Sequence, residues 1–200
     1  MTKEIRSQKP ETRKRKSVTR EWIESIIIAF ILAMFIRAFI VQAYKIPSGS
    51  MRPRLVEGDR ILVSKFIYGA KVPFTDLRLP GLREPQRGEV IVFIYPKDPS
   101  RDFIKRLIAK EGEIVQIKHG KVYVNGEALN NPKFARHYYN KGPYGGEGEK
   151  ILVPPDCYYV LGDNSASSQD SRYWGFVPEK NLIGKAFFIY WPPHRIRIIK

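Results

Sequence analysis

Two hundred residues with one cysteine exclude an internal disulfide, and Cys157 and the three histidines stand at no spacing that would hold zinc. That length suffices for one sizeable domain with a small attachment, so no staple, metal or cofactor is expected. The formal net charge of +15 would suit nucleic acid or an anionic membrane surface, but where it sits along the chain decides between them.

Residues 1–20 concentrate eight basic side chains against Glu4 and Glu11. Such a stretch has little to pack, and residues 1–21 read as a basic tail. Apolar sequence follows at once: Ile26 to Ile36 is unbroken, and Ile23 to Val41 is interrupted only by Glu24, Ser25 and Arg37. A helix over 22–43 would reach roughly 33 Å, enough to cross the hydrocarbon core. Arg37, near its far end, has a stem long enough to snorkel to the headgroups. The positive-inside rule puts the tail in the cytoplasm and everything after the helix outside it, which argues against a nucleic-acid partner. A cleaved secretory signal is the rival reading, with Val41-Gln42-Ala43 imitating a cleavage site. The apolar stretch exceeds the usual 7 to 15 residues of such a signal and favours a retained anchor.

Beyond Pro47 the pattern changes to short β-branched and aromatic runs punctuated by Gly, Pro and Asp. Strands are predicted over 60–63, 89–95, 103–108, 113–117, 157–161, 182–191 and 195–199. A hairpin is predicted over 116–124, turning at His119-Gly120. No stretch keeps a helical period. The fold class is therefore mainly β: a catalytic β core over 44–111 and 158–200, with 112–157 as a small inserted β subdomain, preceded by one transmembrane helix. Within the insert, 130–150 is rich in Asn, Gly and charge and reads as irregular.

Three islands are candidates for chemistry. In Ile46-Pro47-Ser48-Gly49-Ser50-Met51, Pro47 and Gly49 shape a loop that could hold two hydroxyls in set directions, although such a stretch taken alone is most often a turn. In Asp102-Phe103-Ile104-Lys105-Arg106, alternation puts Lys105 on the same face as Phe103 and Leu107, whereas a lysine guarding a sheet edge would be the plainer reading. The run Gly162 to Arg172 is a long polar loop after a strand, with Asp170 and Arg172 spaced to pair.

In order and nearly in wording, these islands resemble the boxes of the type I signal peptidase family, and the resemblance runs from the apolar segment to about Pro178. It implies a membrane-anchored serine endopeptidase with Ser50 as nucleophile and Lys105 as general base. It further implies an oxyanion hole from Ser48 and Ser50, support from Ser168, Asp170 and Arg172, and substrate pockets at Ile46, Pro47, Met51, Leu55, Phe103 and Ile104. The implied partners are preprotein signal peptides, cut after small residues in an Ala-x-Ala pattern, and the lipid bilayer. The implied location is a bacterial inner membrane. The chain departs from the pattern at Ser165-Ala166-Ser167, where charged residues are usual, at Glu111-Gly112 in place of Pro-Gly, and at Phe103, often Tyr.

A serine hydroxyl needs a base within hydrogen-bonding reach, and a lysine serves only when neutral. Burial among apolar groups such as Phe103, Ile104 and Met51 can supply the roughly 4 kcal/mol needed to bring its pKa of about 10.4 near neutrality. His119, His137 and His194 lack an obvious carboxylate orienter. Pro53 in the third position after Ser50 excludes a Ser-x-x-Lys arrangement at this serine. An autocleaving repressor-type protease would carry a DNA-binding helical domain in place of the membrane segment. A catalytically degenerate, membrane-tethered peptide-binding module is the alternative of another class.

Overall fold

A computed structural model describes residues 17–72, 75 and 77–199, so most of the basic tail lies outside the described residues. The chain divides into two compact units after Phe35. The first contains α1 (Val18–Phe35), which buries none of its side chains. With the π-helical turn Ile36–Ile40 it makes one 23-residue helix, long and apolar enough to cross a membrane. The helix starts earlier and stops sooner than the expected 22–43. Val41–Lys45 form strand β1, because their backbone groups pair with a partner strand and cannot also close helical turns.

The second unit is built on two antiparallel sheets. In chain order the strands are β2 (Arg60–Ser64), β3 (Val90–Ile94), β4 (Asp102–Ala109), β5 (Ile114–Lys118), β6 (Lys121–Val124), β7 (Glu127–Ala128), β8 (Ile151–Leu152), β9 (Cys157–Leu161), β10 (Val177–Pro178), β11 (Leu182–Trp191) and β12 (Arg197–Ile198). The larger sheet runs β1-β2-β11-β3-β4-β9-β10, with β12 added on β11. Its long strand β11 pairs with both β2 and β3 and carries bulges on each side, which bend it and curl the sheet. Gly184 permits that approach, since a Cβ there would lie 2.3 Å from the Ser64 carbonyl oxygen.

The smaller sheet, β7-β6-β5-β8, falls inside the stretch expected to be inserted. Its hairpin turns at His119 and Gly120, both in the left-handed region (φ 50° and 71°), which a two-residue turn of this hand requires. The sheet shares one apolar cluster with the larger sheet: Val115, Ile117, Val122 and Val124 pack with Ile108, Tyr159 and Leu161. The segment 130–150 has no strand, as expected, yet Phe134 and Tyr138 plug into that cluster and tie it down. One helical turn not foreseen, α2 (Ser171–Trp174), is capped by the Asp170 carboxylate accepting from Arg172 N.

Glu89, at the head of β3, gathers the loop 66–86 onto the sheet. Its carboxylate accepts from Tyr68 Oη (2.6 Å), Arg83 Nη2 (2.6 Å), Gln86 N (2.9 Å) and Lys185 Nζ (2.7 Å). Burial pushes its pKa up, but these donors outweigh burial and hold it at about 2. Its contribution to stability is therefore complete above the ordinary value of 4.5 and is lost as pH falls toward 2. Glu89→Gln should destabilise the full chain in detergent by about 2 kcal/mol at pH 7, after allowing for solvent screening at Arg83 and Lys185. In thermal melts across pH, the gap from wild type should close between pH 4.5 and 2.

Candidate active site

The loop that leaves β1 turns back at Ile46, whose N–H donates to Asp59 O (2.8 Å) and whose carbonyl accepts from Gly58 N (2.9 Å). Within it a short 3₁₀ turn, Gly49–Met51, presents Ser50, while Met51 drops fully buried into a cluster with Ile46, Leu55, Ile61 and Val63. An apolar side chain immediately after the serine thus anchors the turn. The fold-back continues with Leu55 N donating to Met51 O (2.9 Å).

Strand β4 brings Lys105 to this turn. Lys105 is only 4 % exposed, and its Nζ lies 2.8 Å from Ser50 Oγ and 3.0 Å from Ile104 O. The Phe103 ring, on the same strand face two residues before, has its centroid 5.3 Å from Nζ. Burial lowers the lysine pKa from 10.5 to about 8, against the opposing pull of Asp170 and Asp163. In the neutral amine a lone pair is free to accept the Ser50 proton. The pair can therefore act as nucleophile and base without a third group.

Both residues open on a cleft of about 560 Å³, with Pro47, Ser48, Phe103 and Ile104 along its walls and Ser167 and Gln169 at its rim. Ser48 is exposed there, extended before the turn, with its hydroxyl making no capping bond. Of the six expected pocket residues, Pro47, Phe103 and Ile104 line the cleft. Ile46, Met51 and Leu55 lie beneath it in the core, and Ile104 packs against them. No histidine lines the cleft. His119 has a carboxylate neighbour after all, Glu147 at 3.7 Å, but on the exposed β5–β6 turn.

The polar loop after β9 closes the site from the other side. Ser168 is buried, and its Oγ has no hydrogen-bond partner among the described residues. It packs over Gly162, where a Cβ would lie 2.1 Å from Ser168 Oγ and 2.6 Å from Ser50 O. Asp170 and Arg172 pair as their spacing suggested, Nε to Oδ1 and Nη2 to Oδ2 at 2.8 Å each, both fully buried. Asp170 also accepts from Gly162 N (2.9 Å), while Arg172 donates to Ser165 Oγ (2.8 Å), Ser165 O (2.9 Å) and Tyr139 O (2.7 Å). The short side chains of 165–167 thus leave room for one arginine to hold the loop from within.

Two neighbours were not singled out from sequence. Asn164 clamps the serine turn, its N–H donating to Ser50 O (2.9 Å) and its Nδ2 to Gly49 O (3.1 Å). Asp163 accepts side-on from Arg106, Nε to Oδ1 and Nη2 to Oδ2 (2.7 and 2.6 Å), and Arg106 also donates to Gly88 O (2.5 Å). A signal for Asp163 was present, since an arginine in a strand as apolar as β4 needs a buried carboxylate.

Comparison with known proteins gives the family. The family described as signal peptidase, peptidase S26, matches residues 19–191. A probable signal peptidase I-2 of Synechocystis sp. is 40 % identical over 94 % of this chain and 83 % of its own length. The signal peptidase I of Aquifex aeolicus is 36 % identical over 86 % and 84 %, and that of Pseudomonas fluorescens 35 % over 88 % and 74 %. Matching from the apolar helix to the end of β11, the chain belongs to the signal peptidase family, peptidase S26, and is a serine endopeptidase of the signal peptidase I kind.

Proposed function

We propose that the chain removes signal peptides from exported preproteins by a Ser/Lys mechanism, cutting after small residues in an Ala-x-Ala pattern. The observation that carries this reading is the 2.8 Å approach of Ser50 Oγ to a buried Lys105 Nζ. Neutral Lys105 takes the Ser50 proton as Oγ attacks the scissile carbonyl. The oxyanion is met by the Ser50 N–H and the Ser48 hydroxyl, and the lysine returns the proton to the leaving amine. Water, deprotonated by the same lysine, then releases the acyl group and regenerates the serine.

The 560 Å³ cleft suits an extended peptide lying beside β4. Its walls at Pro47, Phe103 and Ile104 would meet small side chains, with Ile46, Met51 and Leu55 as the apolar backing. Ser168, Asp170 and Arg172 support the base. The apolar helix anchors the enzyme in the inner membrane with the basic tail cytoplasmic and the catalytic body outside, beside the end of the substrate's own apolar segment. A degenerate, peptide-binding homologue would keep this cleft without turnover.

Two experiments test this reading. On a preprotein with an Ala-x-Ala site, the detergent-solubilised full chain should cut after the second alanine, as read by mass spectrometry of the new termini. Ser50→Ala and Lys105→Met should each lower kcat by at least about 10³-fold. A wild type inert on several preproteins would favour the binding module, and an active Lys105→Met would mean another base. Gly162→Ala should cost about 10²-fold in kcat, because its methyl would push Ser168 and the Ser50 carbonyl out of place. The backbone carbonyl must move to admit that methyl, so the melting temperature should fall by several degrees as well; unchanged turnover, read well below that temperature, would show that this close approach does not set the site.

A further inference from the structure

Arg101 lines the catalytic cleft, yet neither proton transfer nor the oxyanion calls for it. It is exposed, and its backbone is pinned in the turn joining β3 to β4, where Arg101 N donates to Asp98 O (3.1 Å) and Arg101 O accepts from Tyr95 N (2.8 Å). Its guanidinium Cζ rests 5.3 Å from the centroid of the Phe103 ring. That ring is itself held, since Tyr95 stacks flat against it (centroids 4.2 Å apart, planes 4° apart) and Phe93 meets it edge-on. A fixed backbone and a fixed aromatic ring thus present one arginine to the cleft.

Its charge is unmatched. The two carboxylates beside it along the chain are engaged elsewhere: Asp98 accepts from Ser100 N (3.1 Å) and Ser100 Oγ (2.6 Å), and Asp102 accepts from Tyr44 Oη (3.0 Å). Asp102 is also the only acidic residue among the described residues that line the cleft. Geometry then sets where a substrate would meet the arginine. Arg101 stands directly before β4 and four residues before Lys105, roughly 13 Å at strand spacing, and alternation puts Arg101, Phe103 and Lys105 on one face. A peptide extended beside β4, with its small side chains against Phe103 and Ile104 and its scissile carbonyl at Ser50, has the same spacing. Its first, third and fifth residues before the cut share a face, and the fifth arrives beside Arg101.

We propose that Arg101 reads charge at the fifth substrate residue before the cut, favouring an acidic side chain there and disfavouring a basic one. This rests on the cleavage reading above and adds a substrate preference to it. A carboxylate at that position would pair with a guanidinium already in place, whereas an ammonium would bring like charges together. Because Arg101 is open to water, the discrimination is modest and is screened by salt.

The test measures kcat and KM of the full chain, in a neutral detergent, on three preproteins with the same Ala-x-Ala site. They differ only in carrying Glu, Gln or Lys at the fifth residue before the cut. Wild type should prefer Glu to Lys by about five-fold in kcat/KM, with Gln between them, through KM and not kcat, and the ratio should shrink as salt rises. Arg101→Gln should bring the ratio close to one, and Arg101→Glu should reverse it so that the Lys substrate is cut faster. A merely structural role for Arg101 would slow all three substrates alike. Lys97→Gln, exposed in the same turn but not lining the cleft, should keep the wild-type order. Equal kcat/KM values in wild type, an order unchanged in Arg101→Glu, or an order lost equally in Lys97→Gln overturns the inference and leaves the cleavage reading standing. Failure of that reading looks different: wild type would leave the Gln preprotein uncut, and the inference would fall with it.

Discussion

Keeping a lysine amine out of water and against a serine hydroxyl is the constraint around which this body is arranged. In the folded chain, burial holds the Lys105 pKa at about 8 instead of 10.5, so the charged form is disfavoured there by about 3 kcal/mol. Because the folded value lies below the unfolded one, that cost is fully present below pH 8 and fades as pH rises to 10.5. Near neutral pH the fold carries this destabilisation and must recover it elsewhere. The apolar clusters on both faces of β4 do so, with Leu107 packed among Phe93, Val160 and Trp174, and Met51 and Leu55 beneath the serine turn.

Position is then fixed by charges that never face the cleft. Arg106, the neighbour of Lys105, is locked to Asp163, which starts the loop carrying Asn164. Asn164 in turn grips the serine turn. From the far end of the same loop, Asp170 and Arg172 hold Gly162 and Ser165. Breaking either buried pair would leave a stranded charge worth several kcal/mol, so the loop has one low-energy arrangement. Gly162 completes it, because the only space for Ser168 is where a side chain on that residue would be.

How much of this was legible in the sequence depended on whether the deciding contact was local. The β-branched and aromatic runs of β9 and β11 name their own strands, and His119-Gly120 names its turn, because period and backbone conformation are written in adjacent residues. The apolar helix was expected to run to residue 43 and stops at Ile40, because Val41 to Lys45 pair with β2, about twenty residues on, a contact that their own sequence does not announce. The same holds at the site. Read by themselves, Ser48-Gly49-Ser50 suggests a turn and Lys105 an edge lysine, and only the resemblance joined them, because their meeting spans fifty-five positions. Asp163 and Asn164 stood in the recognised box without a task, and Ile46, Met51 and Leu55 proved to lie under the cleft where alternation alone could not place them.

The most direct measurement is the pH dependence of kcat/KM for the wild-type chain on a preprotein substrate, which reports the ionisation of the free enzyme's base. A buried neutral lysine predicts a rate that rises from low values at pH 6, reaches half its maximum near pH 8 and levels off above. A midpoint near 10.5, the value of a solvated lysine, or a profile that is the same in Lys105→Met, would contradict Lys105 as the base.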